Sequence, residues 1–548
     1  MTLVRSLIAA STMAAFLYAL PALAQTQVSS ATTDDADPLT PKAVELPAPQ
    51  APGAPVELPR AAAEAQHPAV AILLKRLAEA PALLGPVNKV AAREDREALA
   101  QYYTEHGSRL LWATDEGPTA KSKTAVAELT RAADYGLSSN DAYRVETPER
   151  LATHEAQADY DLSVSLALMT YARHARGGRV DPGSISRMID MRSRPFDAKS
   201  VILALAVADD PAAALRAFHP QHQGFQRLQK ALVTARDGKV GADVIQRIEV
   251  NLERWRWMPD DLGAFHVRNN IPEQMTRVYN DGEVVLTEKI VVGKTSSPTP
   301  VMSADMQFVI FHPSWGVPDG IKNNEVGPML RKASARNQEW FGEGNNASRA
   351  LGRHQLKVSM NGREVDPDSI DWTKVDVRQF HFSQPPSAQN VLGVVKFRFP
   401  NRHDVYMHDT TERNLFGAGV RAFSHGCMRV QNPIHLAEVI LSHDKGWSAE
   451  KVRALVPGGR SADITLTTPV PVHLTYFTAS VDDNGVLRSH GDVYGMDSRL
   501  ASALAGKPVT LASIKVEEAG SAPAPKRARV ARAPKQSVET AWNPFKNW

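Results

Sequence analysis

Cysteine is almost missing from this chain: there is one, Cys427, in 548 residues. A single thiol cannot close an internal disulfide, and it excludes a structural zinc site built on paired cysteines. An excess of charge of one sign is missing too. The 63 lysines and arginines stand against 60 aspartates and glutamates, a formal +3 that gives no reason to expect nucleic acid as a partner. Beyond the N-terminal segment, no apolar run is long enough to read as a transmembrane helix. What is left is an ordinary globular composition over a length that suggests roughly three or four units of about 100–200 residues each.

The N-terminus, "MTLVRSLIAASTMAAFLYALPALAQ", has a basic start at Arg5, an apolar run, and Ala22-Leu23-Ala24 before Gln25. That is the form of a secretory signal peptide over residues 1–24, cleaved after Ala24. An uncleaved anchor is the alternative, weakened because Ser11, Thr12 and Pro21 interrupt the run. Export gives the lone cysteine weight, since an idle exposed thiol outside the cytoplasm is an oxidation liability. Residues 25–66 are rich in Pro and Ala and read as a semi-extended linker. Residues 507–548 form a similar tail, with a basic cluster at Lys526, Arg527, Arg529, Arg532 and Lys535 that reads as a solvated segment or a contact for an anionic surface.

Residues 67–240 read as helical. "REDREALAQYYTEHG" sets Leu99, Tyr102 and Tyr103 on one face, with Gly107 as a C-cap. "DLSVSLALMTYARHARGG" sets Leu162, Leu166 and Met169 at helical spacing and ends on Gly177-Gly178. These stripes are core and carry no chemistry. From about residue 245 the period becomes that of strands: Phe265 and Val267, then Val284 and Leu286, with a tight turn at Asp281-Gly282. Further on, Val395, Phe397 and Phe399 alternate with Lys396 and Arg398, and Val405 and Met407 alternate with Tyr406 and His408. Lys396 reads there as a solvent-facing strand residue. Residues 322–386 between these runs are polar and irregular, an insertion over the sheet. "NPIHLAEVILSH" reads as a helix with Pro433 near its start.

A thiol attacks as thiolate, which needs a base or a positive field. His408 and His425 are the candidate bases. His425 is separated from Cys427 by one glycine in a tight turn, so its side chain points elsewhere, whereas His408 approaches from a neighbouring strand. Gly426 allows a sharp turn that exposes peptide N–H groups suited to an oxyanion, and Arg429 suits a substrate carboxylate. Three readings stay open on these residues alone: cysteine acyl transfer, a zinc site from His403, His408, His425 and Cys427, or a buried cysteine among structural histidines.

The stretch "HDTTERNLFGAGVRAFSHGCMRV" resembles the signature of L,D-transpeptidases with a YkuD-type catalytic domain: His408, then Ser424, His425, Gly426, Cys427, Met428 and Arg429. "IEVNLERWRWMP", "FHPSWGVP", "LGVVKFRFPN", "LTYFTASVDDNGVL" and "DVYGMD" resemble the larger, YcbB-like branch, and "GLSSNDAY" and "ARGGRVDP" its helical scaffold. The resemblance covers most of residues 80–505. It departs from that branch in one respect. "FQRLQKALVTARDGKVGADVIQRIEVNLERWRW" leaves no room for the small peptidoglycan-binding domain that often precedes this segment.

The resemblance implies an α+β multidomain fold: an α-helical scaffold over 67–240, then a mostly-β, β-sandwich-like catalytic domain over 245–505 with a capping subdomain inserted at about 322–386. It implies a periplasmic enzyme whose Cys427 attacks the meso-diaminopimelate carbonyl of a tetrapeptide stem. D-Ala is released, a thioester forms, and a second stem's amine completes a 3–3 cross-link. His408 is the implied base, oriented by the Asp409 backbone carbonyl; His425, Gly426 and Cys427 form the oxyanion region. Arg429, Ser424, Tyr406 and Trp315 are the implied substrate-binding positions. No metal and no cofactor is implied. The partners are donor and acceptor stems, with the C-terminal Lys of an envelope protein as a further acceptor. An L,D-carboxypeptidase would use the same residues, and a non-catalytic wall-binding scaffold is the reading from outside enzymology.

Overall fold

A computed structural model describes residues 66–79, 89–137, 143–339 and 346–509. The segments read as signal peptide, linker and basic tail lie outside the described residues, apart from their inner edges. Among the described residues, no helix is long and apolar enough to cross a membrane.

Among the described residues, eight α-helices build the first half: α1 (Pro68–Glu79), α2 (Lys89–His106), α3 (Ala120–Thr130), α4 (His154–Gly177), α5 (Ala198–Val207), α6 (Pro211–Ala217), α7 (Gln223–Asp237) and α8 (Ala242–Arg256). The apolar stripes of α2 and α4 meet in one core, with Leu99, Tyr103 and Met169 fully buried. The ends follow from local chemistry. Thr153 caps α4 by accepting the Ala156 N–H, and Gly178 ends it at φ +87°. The α8 segment "IEVNLERWRW" is the joint with the second half. Its Asn251 accepts the Thr478 N–H at 2.9 Å, Arg254 pairs with Asp497 at 2.7 Å, and Glu253 accepts the Val180 N–H at 2.9 Å.

The second half is mostly β, as expected. Its strands are β1 (Phe265–Asn270), β2 (Met275–Asn280), β3 (Glu283–Gly293), β4 (Val301–Phe311), β5 (Trp315–Gly316), β6 (Lys357–Met360), β7 (His381–Gln384), β8 (Val395–Arg398), β9 (Met407–His408), β10 (Ala422–Ser424), β11 (Met428–Val430) and β12 (Ala462–Thr475). The main sheet runs β8-β9-β11-β3-β2-β1-β12-β4 and closes on itself, because β8 also pairs antiparallel with β4, Val395 opposite Phe311. Alternation supplies its core: Val267, Val395, Phe397, Met407 and Met428 are fully buried. Asp281 and Gly282 both take positive φ, the turn expected between β2 and β3. Val284 is 44% exposed although Leu286 is buried, because the ladder shifts register at Val278/Tyr279.

The insertion is not irregular. It carries helices α9 (Gly327–Glu339) and α10 (Ala347–Gly352) and a separate sheet, Arg363–Glu364 beside β6, β7 and β5. Its own core includes Trp315, Leu330, Trp372, Phe380 and Phe382, and Tyr406 and Cys427 pack against it. The apolar residues are scattered among turns, so the period that would reveal this core is absent from the sequence.

Candidate active site

Two ladder registers assemble the site. In the antiparallel pair β8/β9, Lys396 stands opposite His408. In the parallel pair β9/β11, His408 stands opposite Arg429 and Met407 opposite Met428. Side chains alternate between faces, so Met407, Met428 and Phe397 enter the core while Lys396, His408 and Arg429 share the other face. Tyr406 and Cys427 each lie two residues back along their strands and fall on that same face. The Met428 N–H donates to the Tyr406 carbonyl at 3.1 Å and fixes the start of this pairing.

The backbone turn before the cysteine has φ +117° at Gly426, a conformation other residues reach only with strain. Ser424 Oγ accepts the Gly426 N–H at 3.2 Å and donates to the Cys427 carbonyl at 2.6 Å. That engages one of the three peptide N–H groups assigned to the oxyanion region. From behind, Thr299 Oγ1 donates to the Gly426 carbonyl at 2.8 Å. Tyr494 accepts the Thr299 N–H and donates to the Gly293 carbonyl at 2.7 Å. Sequence reasoning misses this brace, because its members are far apart in the chain.

His408 Nδ1 lies 2.5 Å from the Asp409 backbone carbonyl. A carbonyl only accepts, so Nδ1 carries the hydrogen and Nε2 keeps a free lone pair. The Asp409 side chain is engaged as well. It accepts the Val394 N–H at 2.9 Å and the Thr410 N–H at 2.6 Å, and it pairs with Arg413. It lies so close to Gly393 that an added Cβ there would be 2.3 Å from its Cγ. Asp409 therefore contributes more than a carbonyl: it ties β9 to the turn before β8.

Burial dominates the electrostatics. Desolvation pushes the Cys427 thiol up to about 11, partly offset by hydrogen bonding from Tyr406 and by the Lys396 charge. Desolvation, with the Arg429 charge second, pulls His408 down to about 3. The resting pair is thus a neutral thiol and a neutral imidazole. Arg429 is buried and held by Glu412 at 2.7 Å, so its charge is already matched within the chain. Tyr406 is buried, its ring 5.7 Å from that of His408, and Trp315 is buried beside it in the cap core.

The second histidine takes another path. His425 Nε2 lies 2.7 Å from Glu325 of the cap and 3.0 Å from Lys294 Nζ. His403 faces Asp190 at 3.3 Å. The four candidate zinc ligands therefore turn to different partners. Among the described residues, no group of three or more His, Cys, Asp or Glu is placed to hold a metal ion. Lys396 also departs from its sequence reading: it is half-buried, with Nζ 3.8 Å from the ring centroid of Tyr406, which belongs to the cap core.

Residues 97–232 match the family model of a scaffold domain, and residues 264–472 that of the YkuD L,D-transpeptidase catalytic domain. A Haemophilus influenzae protein named "Putative L,D-transpeptidase" is 29% identical over 283 residues, which cover 52% of this chain and 53% of that protein. The match thus spans about half the length of that relative. Two solved structures match at low identity over 39% of this chain. The Ldtfm–avibactam carbamoyl enzyme is 14% identical, is covered over 49% of its chain and has a TM-score of 0.17. The L,D-transpeptidase from Mycobacterium smegmatis is 13% identical, is covered over 58% of its chain and has a TM-score of 0.18. At those TM-scores the structural likeness carries no argument. The chain carries a segment that matches the YkuD L,D-transpeptidase catalytic domain, behind a segment that matches a scaffold domain.

Proposed function

We propose that this protein is a peptidoglycan L,D-transpeptidase that forms 3–3 cross-links through a thioester on Cys427. The observation that carries the proposal is the shared strand face of His408 and Cys427, with the base's Nδ1 committed to a carbonyl and the nucleophile on a braced glycine turn.

The donor is a tetrapeptide stem. As Cys427 Sγ attacks the carbonyl of its third residue, the thiol proton passes to His408 Nε2. That transfer starts from two neutral groups, so charge appears only as the S–C bond forms and no ion pair has to persist in a buried site. The His425 and Cys427 N–H groups face the developing oxyanion. His408 then returns its proton to the departing D-Ala amine, and the thioester remains. In the second half, Nε2 takes a proton from the acceptor amine of another stem's diaminopimelate as that amine attacks, and Cys427 leaves as thiol. Tyr406 and Trp315 wall the donor side. We assign the mature enzyme to the periplasm on the strength of the signal peptide at 1–24, which the N-terminal mass of the exported protein tests.

The test is to incubate the mature protein with purified disaccharide-tetrapeptides and resolve the products by mass spectrometry. Dimers short of one D-Ala support transpeptidation. Tripeptide alone redirects the reading to an L,D-carboxypeptidase, in which water takes the acyl group. No turnover, together with no acylation of Cys427 by a carbapenem, overturns both.

A further inference from the structure

The catalytic face holds two cations, and they differ in their partners. Arg429 is matched by Glu412. Lys396 is half-buried and, among the described residues, makes no ion pair and no hydrogen bond; its ammonium rests on the face of Tyr406. Asp404 and Asp463 act on it only through space, and a cation half-withdrawn from water with no direct ion pair is unfavourable unless the site supplies negative charge at some stage of its work. Lys396 is the cross-strand neighbour of His408, and Tyr406, on whose ring its ammonium rests, hydrogen-bonds to Cys427.

We propose that Lys396 is a positioning residue for the Cys427 thiolate. Its fixed positive charge, held in place by the Tyr406 ring, stabilises the anion that forms when the thiol proton moves to His408 Nε2. No bond at Lys396 forms or breaks, and it keeps its own protons throughout. Other charged or titratable groups around the sulfur do not supply this field. Tyr406 and His408 are neutral at rest, and Arg429 is paired. His425 is occupied with Glu325 of the cap and Lys294. Asp404 is exposed and opposes the thiolate. Burial lowers the Lys396 pKa; the Cys427 charge raises it, as do Asp404 and Asp463, while Arg398 lowers it.

This inference rests on Cys427 being the nucleophile, but its test does not need turnover. Cys427 is the only cysteine, so iodoacetamide alkylation followed by intact mass reports on it alone. The rate is measured from pH 7 to 12 on the mature protein, a window that spans the raised thiol value of about 11. Lys396→Met is expected to shift the rising limb to higher pH and to slow alkylation at pH 7.5 about tenfold, with the same limiting rate. Lys396→Arg is expected to stay within about threefold of the parent. Lys396→Gln serves if the Met variant does not fold. Superimposed pH curves overturn the proposal, as does a lower limiting rate without a shift, which would mean altered access rather than charge. A shift in alkylation with no cross-linked product would leave Lys396 in place and refute transpeptidation instead.

Discussion

The scaffold and the catalytic domain each bury a carboxylate in much the same way, yet only one of the two lies beside the candidate site. In the scaffold, Asp161 accepts from the Tyr103 hydroxyl and from the Trp112 and Ala113 N–H groups at 2.6 and 3.2 Å. In the catalytic domain, Asp409 accepts from two N–H groups and Arg413. The buried histidines are handled in parallel too. His174 Nδ1 meets the Tyr143 hydroxyl at 2.5 Å, and His219 Nε2 meets that of Tyr171 at 2.9 Å. The difference lies in what each network leaves unused. The Asp161 network is saturated and ends within the protein. That of Asp409 ends at an imidazole whose Nε2 makes no hydrogen bond among the described residues, on the face that also carries the thiol and an ammonium without a direct ion pair. Satisfaction makes the first a structural lock; the withheld partners make the second a site.

Four experiments press on that contrast. Cys427→Ala should abolish cross-linked product, a loss of at least about a thousandfold by mass spectrometry. Its thermal midpoint should stay within a few degrees, because the half-buried thiol holds up little packing. A large fall in stability with activity retained would put Cys427 in the same class as Asp161. Next come the two aspartates. Asp161→Ala should cost about 3 kcal/mol in urea unfolding, since three donors lose their acceptor, with activity per folded molecule unchanged. Asp409→Ala should instead cut turnover more than tenfold by releasing the carbonyl that orients His408; equal behaviour of the two variants would erase the contrast.

The third concerns acid. His174 and His408 are held at about 3 by burial, and His473 at about 4. A histidine lowered on folding resists protonation only in the native state, so its stabilisation is present above about pH 6.5 and is lost as pH falls below it. Asp161, raised to about 6 by burial, acts in the opposite sense: its contribution declines as pH rises from about 3.8 to 6. Thermal midpoints should therefore hold steady above about pH 6.5 and drop toward pH 4. His174→Gln should shallow the acid limb and Asp161→Asn should steepen it. The smallest effect is expected far from both networks. Gly282→Ala, at φ +87° with open space around it, should cost about 1 kcal/mol and leave turnover unchanged.

Much of the molecule is legible in its amino-acid sequence. The Asp281-Gly282 turn, the α2 and α4 stripes, and the strand pair carrying Val395 and Met407 all follow from local periodicity or local geometry. The contributions that stay hidden come from register and from distant contacts. Lys396 reads as solvent-facing because alternation tells which face a residue takes, not that a cap covers that face. Thr299, Tyr494 and Glu325 sit in segments whose own composition gives no hint of Gly426 or His425. The cap core escapes a sequence reading because its apolar residues follow no single period.

The brace behind the nucleophile has a consequence in time. Gly426 is held by Thr299, and Thr299 in turn by Tyr494, which lies beyond β12. A chain synthesised N-terminus first presents Cys427 well before it presents Tyr494. The turn at Gly426 is then secured only after the thiol itself has emerged. An unfinished molecule would carry the thiol without the brace behind it, so the order of residues sets when that brace can close.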